Sequence, residues 1–342
     1  MPDNGCSIVV VGASAGGVEA LQRFVRSLPA DFGAPVAVVL HASPTARSYL
    51  PDILTRAGAL AARHAEDGEQ LEAGHIYVAP PDSHLVVTDG VVSLTKGPRE
   101  NGHRPAIDPL FRTAAAYYDS HVAGVVLSGT LDDGTVGLYT IKRAGGATLV
   151  QDPDDALYRD MPANAIAYVR PDYVLPVEEL AETLVRLTAS APPNSGTTAA
   201  VPAGDDTADA APAPSEEVAQ PGELVPFSCP ECGGTLWETE AGGTSSYRCR
   251  VGHAYTVQNL HVRHAETVER ALWVAYRALE ERAAMSRRVA RRLADRGRLE
   301  SAERFERQAE VSTAQAAELK RVLDEFDAAA PVDEEARAQI AG

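Results

Sequence analysis

Three apolar runs in the first half of the chain end in side chains able to do chemistry. Ser7-Ile8-Val9-Val10-Val11 leads into Gly12-Ala13-Ser14-Ala15-Gly16-Gly17, and Pro35-Val36-Ala37-Val38-Val39-Leu40 ends at His41. Val122-Ala123-Gly124-Val125-Val126-Leu127 runs into Ser128-Gly129-Thr130-Leu131-Asp132-Asp133-Gly134. A hydroxyl, an imidazole and a carboxylate at three such ends are the inventory of acyl transfer through a serine nucleophile. Each also has a plainer reading. A Gly-rich turn after a first strand can cradle a nucleotide phosphate, a lone His can be a satisfied structural residue, and Asp132-Asp133-Gly134 can be a turn or helix cap. Two details count against a dinucleotide site: Ser14 replaces its middle Gly, and His41 stands where a ribose-binding acid is expected.

A second constellation lies far downstream. Cys229-Pro230-Glu231-Cys232 and Cys249-Arg250-Val251-Gly252-His253 give the spacing Cys-x2-Cys-x16-Cys-x3-His. Three thiols and an imidazole on two tight turns suit a tetrahedral zinc ion with no open position, hence a structural one. Thr235-Leu236-Trp237-Glu238 and Ser245-Ser246-Tyr247-Arg248 between the pairs read as the hairpin of a zinc ribbon. His261 and His264 read as surface residues, and the isolated Cys6 as an inert thiol.

The elements that must position the first set follow from periodicity. Short β-branched runs alternate with helical patterns, the sign of βαβ units. Strands are expected at 7–11, 35–40, 75–79, 122–127, 147–151 and 173–175, with a hairpin at 85–94 around Asp89-Gly90. Helices are expected at 18–28, 47–56, 107–118 and 136–144. Apolar runs without alternation imply cover on both faces, so the fold class is a doubly wound, mostly parallel α/β sheet. Ligands of such sheets bind at the carboxyl ends of the strands, where Ser14, His41 and the acid pair fall.

Composition bounds the partners. The 342 residues carry 31 Lys+Arg against 48 Asp+Glu, a net charge of −17. That argues against nucleic-acid binding. No apolar run approaches the ~18 residues that span a bilayer, and the first residues have no basic region, so no membrane insertion and a cytoplasmic location are expected. Residues 188–226 are mostly Ala, Pro, Gly, Ser, Thr and acid, with almost no large apolar residues and no Lys or Arg, and read as a disordered linker. Residues 260–326 hold 14 basic and 12 acidic residues, so the negative charge belongs to the linker and the first part. From 257 onward two long helices are expected, broken near Gly297, with a thin apolar stripe rich in Ala. They either close on themselves and the ribbon or dock a partner chain.

The run Gly12–Gly17, the isolated His41, Gly74-His75-Ile76-Tyr77-Val78-Ala79-Pro80, Arg104-Pro105-Ala106-Ile107-Asp108-Pro109-Leu110-Phe111 and Ser128–Gly134 together resemble the catalytic domain of CheB-type protein-glutamate methylesterases. Arg143-Ala144-Gly145-Gly146 and Met161-Pro162-Ala163-Asn164-Ala165 extend the likeness, which covers roughly residues 8–184. The resemblance implies hydrolysis of glutamyl γ-methyl esters on a methylated, helical chemoreceptor-like protein, with methanol released and glutamine deamidation in some members. It implies Ser14 as nucleophile, His41 as general base and Asp133 as the acid that orients it, with no cofactor for catalysis. Backbone N–H groups at Ala15 and in the Thr130 loop become oxyanion-hole candidates. The family loop is usually Thr-Gly-Met-Gly-X-Asp-Gly; here Thr130 replaces the Met and Leu131 the Gly, and Ala15 replaces a common Thr.

Many members begin with a phosphate-receiving regulatory domain, which is not expected here. Control is then expected elsewhere, or the enzyme is constitutive. The resulting division is a catalytic domain at 1–187, the linker at 188–226, a zinc-ribbon-like module at 227–256, a helical hairpin or coiled-coil-like region at 257–328 and a disordered tail at 329–342. Two other readings compete: a weakly active signalling adaptor whose C-terminal helices bind a partner or self-associate, and a nucleotide-binding sensor on the same fold.

Overall fold

Strand β1 (Ile8–Ala13) is buried along its whole length, so the residues beside it must cover both of its faces. A computed structural model shows how, describing residues 5–88, 90–189, 222–241 and 244–329. After β1 come α1 (Gly17–Arg26), β2 (Val36–Leu40), α2 (Leu50–Ala57), β3 (Ala61–His64) and β4 (His75–Val78). Then follow β5 (His84–Thr88), β6 (Val91–Thr95), α3 (Ile107–Tyr118), β7 (Val122–Val126), α4 (Thr135–Arg143) and β8 (Ala147–Gln151). Helix α5 (Asp160–Val169), β9 (Tyr173–Leu175) and α6 (Val177–Ala189) complete the series.

Seven of these strands form one sheet in the order β3-β4-β2-β1-β7-β8-β9, and every neighbouring pair in it is parallel. Side chains alternate across it. Val9 and Val11 join Leu21, Phe24, Leu54 and Leu184 in one core, while Ile8 and Val10 join Ile107, Phe111, Leu138 and Met161 in the other. The sheet is doubly wound, as its unalternating strands require. From β1 the chain steps to β2 on one side, and β7 lies on the other, so the crevice of the fold opens where Ser14, His41 and the 128–134 loop emerge.

Several elements differ from the sequence reading. Ala61-Ala62-Arg63-His64 has no β-branched residue to announce a strand, yet it pairs with β4 at the sheet edge. The β5–β6 hairpin forms its own two-stranded sheet over α3, whose Thr113 Oγ1 accepts the Val87 N–H at 3.1 Å; Asp89 of its turn lies outside the described residues. Helix α2 begins at Leu50, with Pro51 in its first turn, a place where proline's missing N–H costs nothing.

The second sheet runs β10 (Glu223–Ser228), β11 (Thr235–Ala241), β12 (Thr244–Cys249) and β13 (Ala254–Thr256), antiparallel throughout. Its core holds Val225, Leu236, Tyr247, Tyr255 and Leu260. Strand β10 begins within the stretch that the composition assigns to the linker, taking in residues 223–226; buried Val225 beside Leu236 gives it an apolar anchor. Most of the expected linker, 190–221, and most of the expected tail, 330–342, lie outside the described residues.

Contacts divide the chain after Leu260 into two compact units. The second is built by α7 (Val257–Ala294), of which the first turn belongs to the first unit, and α8 (Leu299–Ala329). Ala302, Ala309, Ala316 and Leu323 are buried at seven-residue intervals on α8, facing buried Ala283 and Ala290. Alanines at heptad spacing let two helix backbones approach closely. Arg287 on α7 donates to Thr313 Oγ1 on α8 at 2.6 Å, and the Lys320 ammonium lies 4.9 Å from the Trp273 ring centre. These pairs fix the helices as an antiparallel hairpin. Among the described residues, no helix is long and apolar enough to cross a membrane.

Candidate active site

Ser14 sits on the turn between β1 and α1. Gly16 holds a left-handed conformation there (φ 68°), and a Cβ on it would lie 2.7 Å from Ser128 Oγ. A Cβ on Gly17 would lie 2.7 Å from both the Ala13 Cβ and the Leu40 Cδ1. Only glycine fits either place. The turn is pinned by Ser14 N–H to the Ser128 carbonyl (3.0 Å) and Gly17 N–H to the Ser14 carbonyl (2.8 Å).

His41 follows β2, its N–H donating to the Ala13 carbonyl at 3.2 Å. Its Nδ1 is 3.0 Å from Ser14 Oγ and its Nε2 is 2.7 Å from Asp133 Oδ2. Asp133, between β7 and α4, also accepts the Ile107 N–H (2.7 Å), the Gly134 N–H (3.0 Å) and Asn101 Nδ2 (2.8 Å). Burial alone pushes its carboxyl up, but His41, the Ile107 amide and Asn101 outweigh burial and hold it well below the usual range. An ionised Asp133 accepts a hydrogen bond from Nε2–H, which leaves Nδ1 as the base facing the serine.

Two further acids flank this line. Asp108 is buried, and burial followed by the Asp133 charge lifts its carboxyl far above the ordinary value; it accepts the Gly137 N–H at 2.7 Å and Asn101 Nδ2 at 3.2 Å. Asp132 turns away from His41. Its Oδ1 accepts Thr256 Oγ1 at 2.6 Å and Asn259 Nδ2 at 2.5 Å, and burial pushes it up to about 6 against the pull of those donors. The acid pair that the sequence leaves open thus splits, with Asp133 toward the imidazole.

The 128–134 loop lies against the serine, since a Cβ on Gly129 would be 2.9 Å from the Ser14 Cβ. Among the described residues, no acceptor takes the N–H of Ala15 or of Thr130. Leu131 adopts φ 62°, in the left-handed region, and its carbonyl accepts Asn164 Nδ2 at 2.8 Å. Beside His41 opens a cleft of about 370 Å³ bordered by Ser43, Arg99, His103 and Arg104.

Asn101 and His103 carry no pattern in the sequence that marks them, and Asn164 is marked only as part of the 161–165 run, with no role assigned to it. Asn101-Gly102 signals only a turn, consistent with the left-handed Asn101 (φ 52°). Cys6 is buried, which pushes its thiol up to about 11 and fits an inert residue. His261 is exposed, whereas His264, expected at the surface, is half-buried. It lies one turn beyond buried Leu260 and shares that face of α7.

Cys229, Cys232, Cys249 and His253 converge, with all four ligand atoms within 4.8 Å of one another. The Gly233 N–H donates to the Cys229 carbonyl (2.8 Å) and the Gly252 N–H to the Cys249 carbonyl (2.9 Å), closing the two turns. Cys232 Sγ and Cys249 Sγ are 3.7 Å apart, close to the edge of a tetrahedron with zinc–sulfur bonds of about 2.3 Å. His253 turns Nδ1 toward the thiols, 3.6 Å from Cys229 Sγ and 3.5 Å from Cys249 Sγ. Its Nε2 is 3.4 Å from Glu231, the kind of carboxylate partner that orients ligating imidazoles. Donor set and spacing fit a zinc-type ion.

Comparison with known proteins agrees with this geometry. A family model described as CheB methylesterase matches residues 9–184. A putative protein-glutamate methylesterase/protein-glutamine glutaminase of Leptospira interrogans is 39% identical over 180 residues, covering 52% of this chain and 93% of that protein. Protein-glutamate methylesterase/protein-glutamine glutaminase 2 of Anaeromyxobacter dehalogenans is 41% identical over 181 residues, about half of each chain. The crystal structure of the Thermotoga maritima CheB methylesterase catalytic domain superposes with a TM-score of 0.51 at 36% identity, covering 53% of this chain and 98% of that one. With a matching fold, a matching family model over half its length and close relatives along the same stretch, the chain belongs to the CheB methylesterase family.

Proposed function

We propose that Ser14, His41 and Asp133 act as a catalytic triad that hydrolyses γ-methyl esters of glutamate side chains on a chemoreceptor-like helical protein. The observation that carries this reading is the unbroken line from Ser14 Oγ to His41 (3.0 Å) and from His41 to Asp133 (2.7 Å). His41 Nδ1 takes the serine proton as Oγ attacks the ester carbonyl, and the tetrahedral oxyanion lies against the N–H groups of Ala15 and Thr130. His41 then hands the proton to the departing methoxy oxygen, and methanol leaves. Water, deprotonated by the same nitrogen, attacks the acyl-enzyme and releases glutamate and the free serine. Asp133 keeps the proton on Nε2 and stabilises the imidazolium throughout. A glutamine side chain passes through the same steps with ammonia leaving, the glutaminase activity that the relatives' names carry.

The reaction uses no metal. Cys229, Cys232, Cys249 and His253 hold a structural zinc in this reading, the functional location is the cytoplasm, and the helical hairpin from residue 257 offers a surface for a signalling partner or a second copy. The decisive experiment is methanol release from methylated receptor membranes by the full chain and by Ser14→Ala. Loss of about 10⁴-fold or more is expected from removal of a triad nucleophile; release at the normal rate would refute the assignment.

A further inference from the structure

The strand that follows the zinc-type site runs into the hydrogen bonds of the triad. His253 is followed at once by β13, and three polar side chains link that strand and the first turn of α7 to the catalytic loops. Asn101 is the first link. Its N–H donates to the Ala254 carbonyl at 2.8 Å, and its Oδ1 accepts the Thr256 N–H at 3.0 Å. Its Nδ2 then donates to Asp133 Oδ1 at 2.8 Å and to Asp108 Oδ2 at 3.2 Å. One buried amide thus has its acceptor oxygen on the ribbon and its donor nitrogen on the two acids.

Asp132, next to Asp133 in the chain, is held by Thr256 Oγ1 and Asn259 Nδ2. Asn164, whose Nδ2 holds the left-handed Leu131 carbonyl, forms a reciprocal amide pair with Gln258, at 3.0 Å in each direction. Residues 254–259 therefore hold the loop that carries Thr130 and Asp133 directly at Asp132 and, through Asn164, at the neighbouring Leu131. The metal ligands are the nearest fixed point for this segment, because Cys249 N–H donates to the His253 carbonyl at 2.9 Å and only two residues separate His253 from Thr256.

We propose that the Cys229/Cys232/Cys249/His253 site is a control site for the esterase, in which a bound zinc-type ion holds β13 against Asn101 and so positions Asp133 behind His41. Asn101 acts as a positioning residue: it touches no substrate and works through the Asp133 carboxylate. With the ion in place the ribbon is a rigid wall behind the triad. With the ion removed, three thiols and an imidazole no longer share a centre, β13 loosens, and Asn101 loses the partner that fixes its amide plane. The carboxylate then keeps its charge but loses a fixed direction, which lowers the rate of proton transfer and leaves substrate contacts intact. Metal availability would in this way set the activity of the enzyme. This rests on the triad reading above.

The test uses the full chain loaded with one equivalent of zinc. Two rates are followed before and after removal of the metal by a chelator: phosphonylation of Ser14 by a fluorophosphonate, and hydrolysis of p-nitrophenyl acetate. The expected result is a loss of about tenfold in labelling rate and in kcat, KM within about twofold, and recovery on zinc return. Cys232→Ser, at the exposed cysteine, should show the same loss. Asn101→Gly, which suits the left-handed backbone, should be slow with zinc and show no further loss on chelation. Full activity of the stripped wild-type chain overturns the proposal, as does an Asn101→Gly variant that still loses tenfold with its metal. Labelling that persists in Ser14→Ala would instead overturn the triad, so the two failures are separable.

Discussion

The imidazoles of His41 and His103 lie face to face, with ring centroids 3.8 Å apart and planes 7° from parallel. His41 is thereby held on three sides: Ser14 at Nδ1, Asp133 at Nε2 and a flat ring over its face. A stacked ring restricts tilt, the motion that neither in-plane hydrogen bond resists. His103→Phe keeps a flat partner and should stay within about threefold of the parent kcat, whereas His103→Ala should lose about tenfold. Steady-state kinetics on an ester substrate decide it; equal rates for the two variants would show that the stack does not position His41.

The left-handed Leu131 makes a prediction about stability. A non-glycine residue at φ 62° carries a cost of about 1–2 kcal/mol that glycine does not. Leu131→Gly should stabilise the protein by about 0.5–1 kcal/mol after the added freedom of the unfolded chain is subtracted. Leu131→Val should destabilise it by about 1 kcal/mol or more, because a β-branched residue tolerates positive φ least. Urea midpoints of opposite sign relative to the parent would verify the pair.

Asp132 gives a pH dependence. Burial pushes its carboxyl from 3.8 up to about 6, against Thr256 and Asn259, so the folded chain holds this proton more tightly than the unfolded one. The stabilisation is complete below the unfolded value and disappears as the pH rises through the folded one. Asp132→Asn cannot titrate and keeps a neutral group there. Its Tm relative to the parent should therefore climb between pH 4 and 7, by an amount on the order of 2 kcal/mol in stability. A constant difference across that range would contradict the argument.

At Gly16 the two demands of the nucleophile turn meet: φ of 68° and a Cβ position 2.7 Å from Ser128 Oγ. That hydroxyl holds the Ala15 carbonyl at 2.8 Å and accepts the Tyr158 N–H at 2.9 Å. Gly16→Ala should cost about 1–2 kcal/mol from backbone alone, and should lower kcat by at least about tenfold by displacing Ser128 and with it the oxyanion donors. Thermal denaturation and ester kinetics measured together separate the two effects.

The sequence reveals the parallel sheet because Val- and Ile-rich runs leave few alternatives, and it groups Cys229, Cys232, Cys249 and His253 because their spacing is local. It brings Ser14, His41 and the acid pair to strand ends, but strand ends do not say which acid turns inward. Asp132 and Asp133 are neighbours with the same chemistry, and they part only because Thr256 and Asn259 arrive from more than 120 residues downstream to claim one of them. Asn101 is illegible for the same reason. Its neighbours in sequence suggest a turn, while its side chain takes three partners that no periodicity connects. Edge strand β3 is missed because a half-exposed strand of Ala, Arg and His needs little β-propensity when β4 supplies the hydrogen bonds.

The bond from Thr256 N–H to Asn101 Oδ1 joins positions 155 apart in the chain, and this has a consequence for how the enzyme is born. On the ribosome, the whole parallel sheet and all three triad residues emerge before the ribbon has been synthesised. A nascent chain at that stage can bring Ser14, His41 and Asp133 together, but Asn101 and Asp132 still lack the partners that complete them. The hydrogen bonds of the candidate site are therefore complete only once residues 254–259 are present, the last part of it to be synthesised.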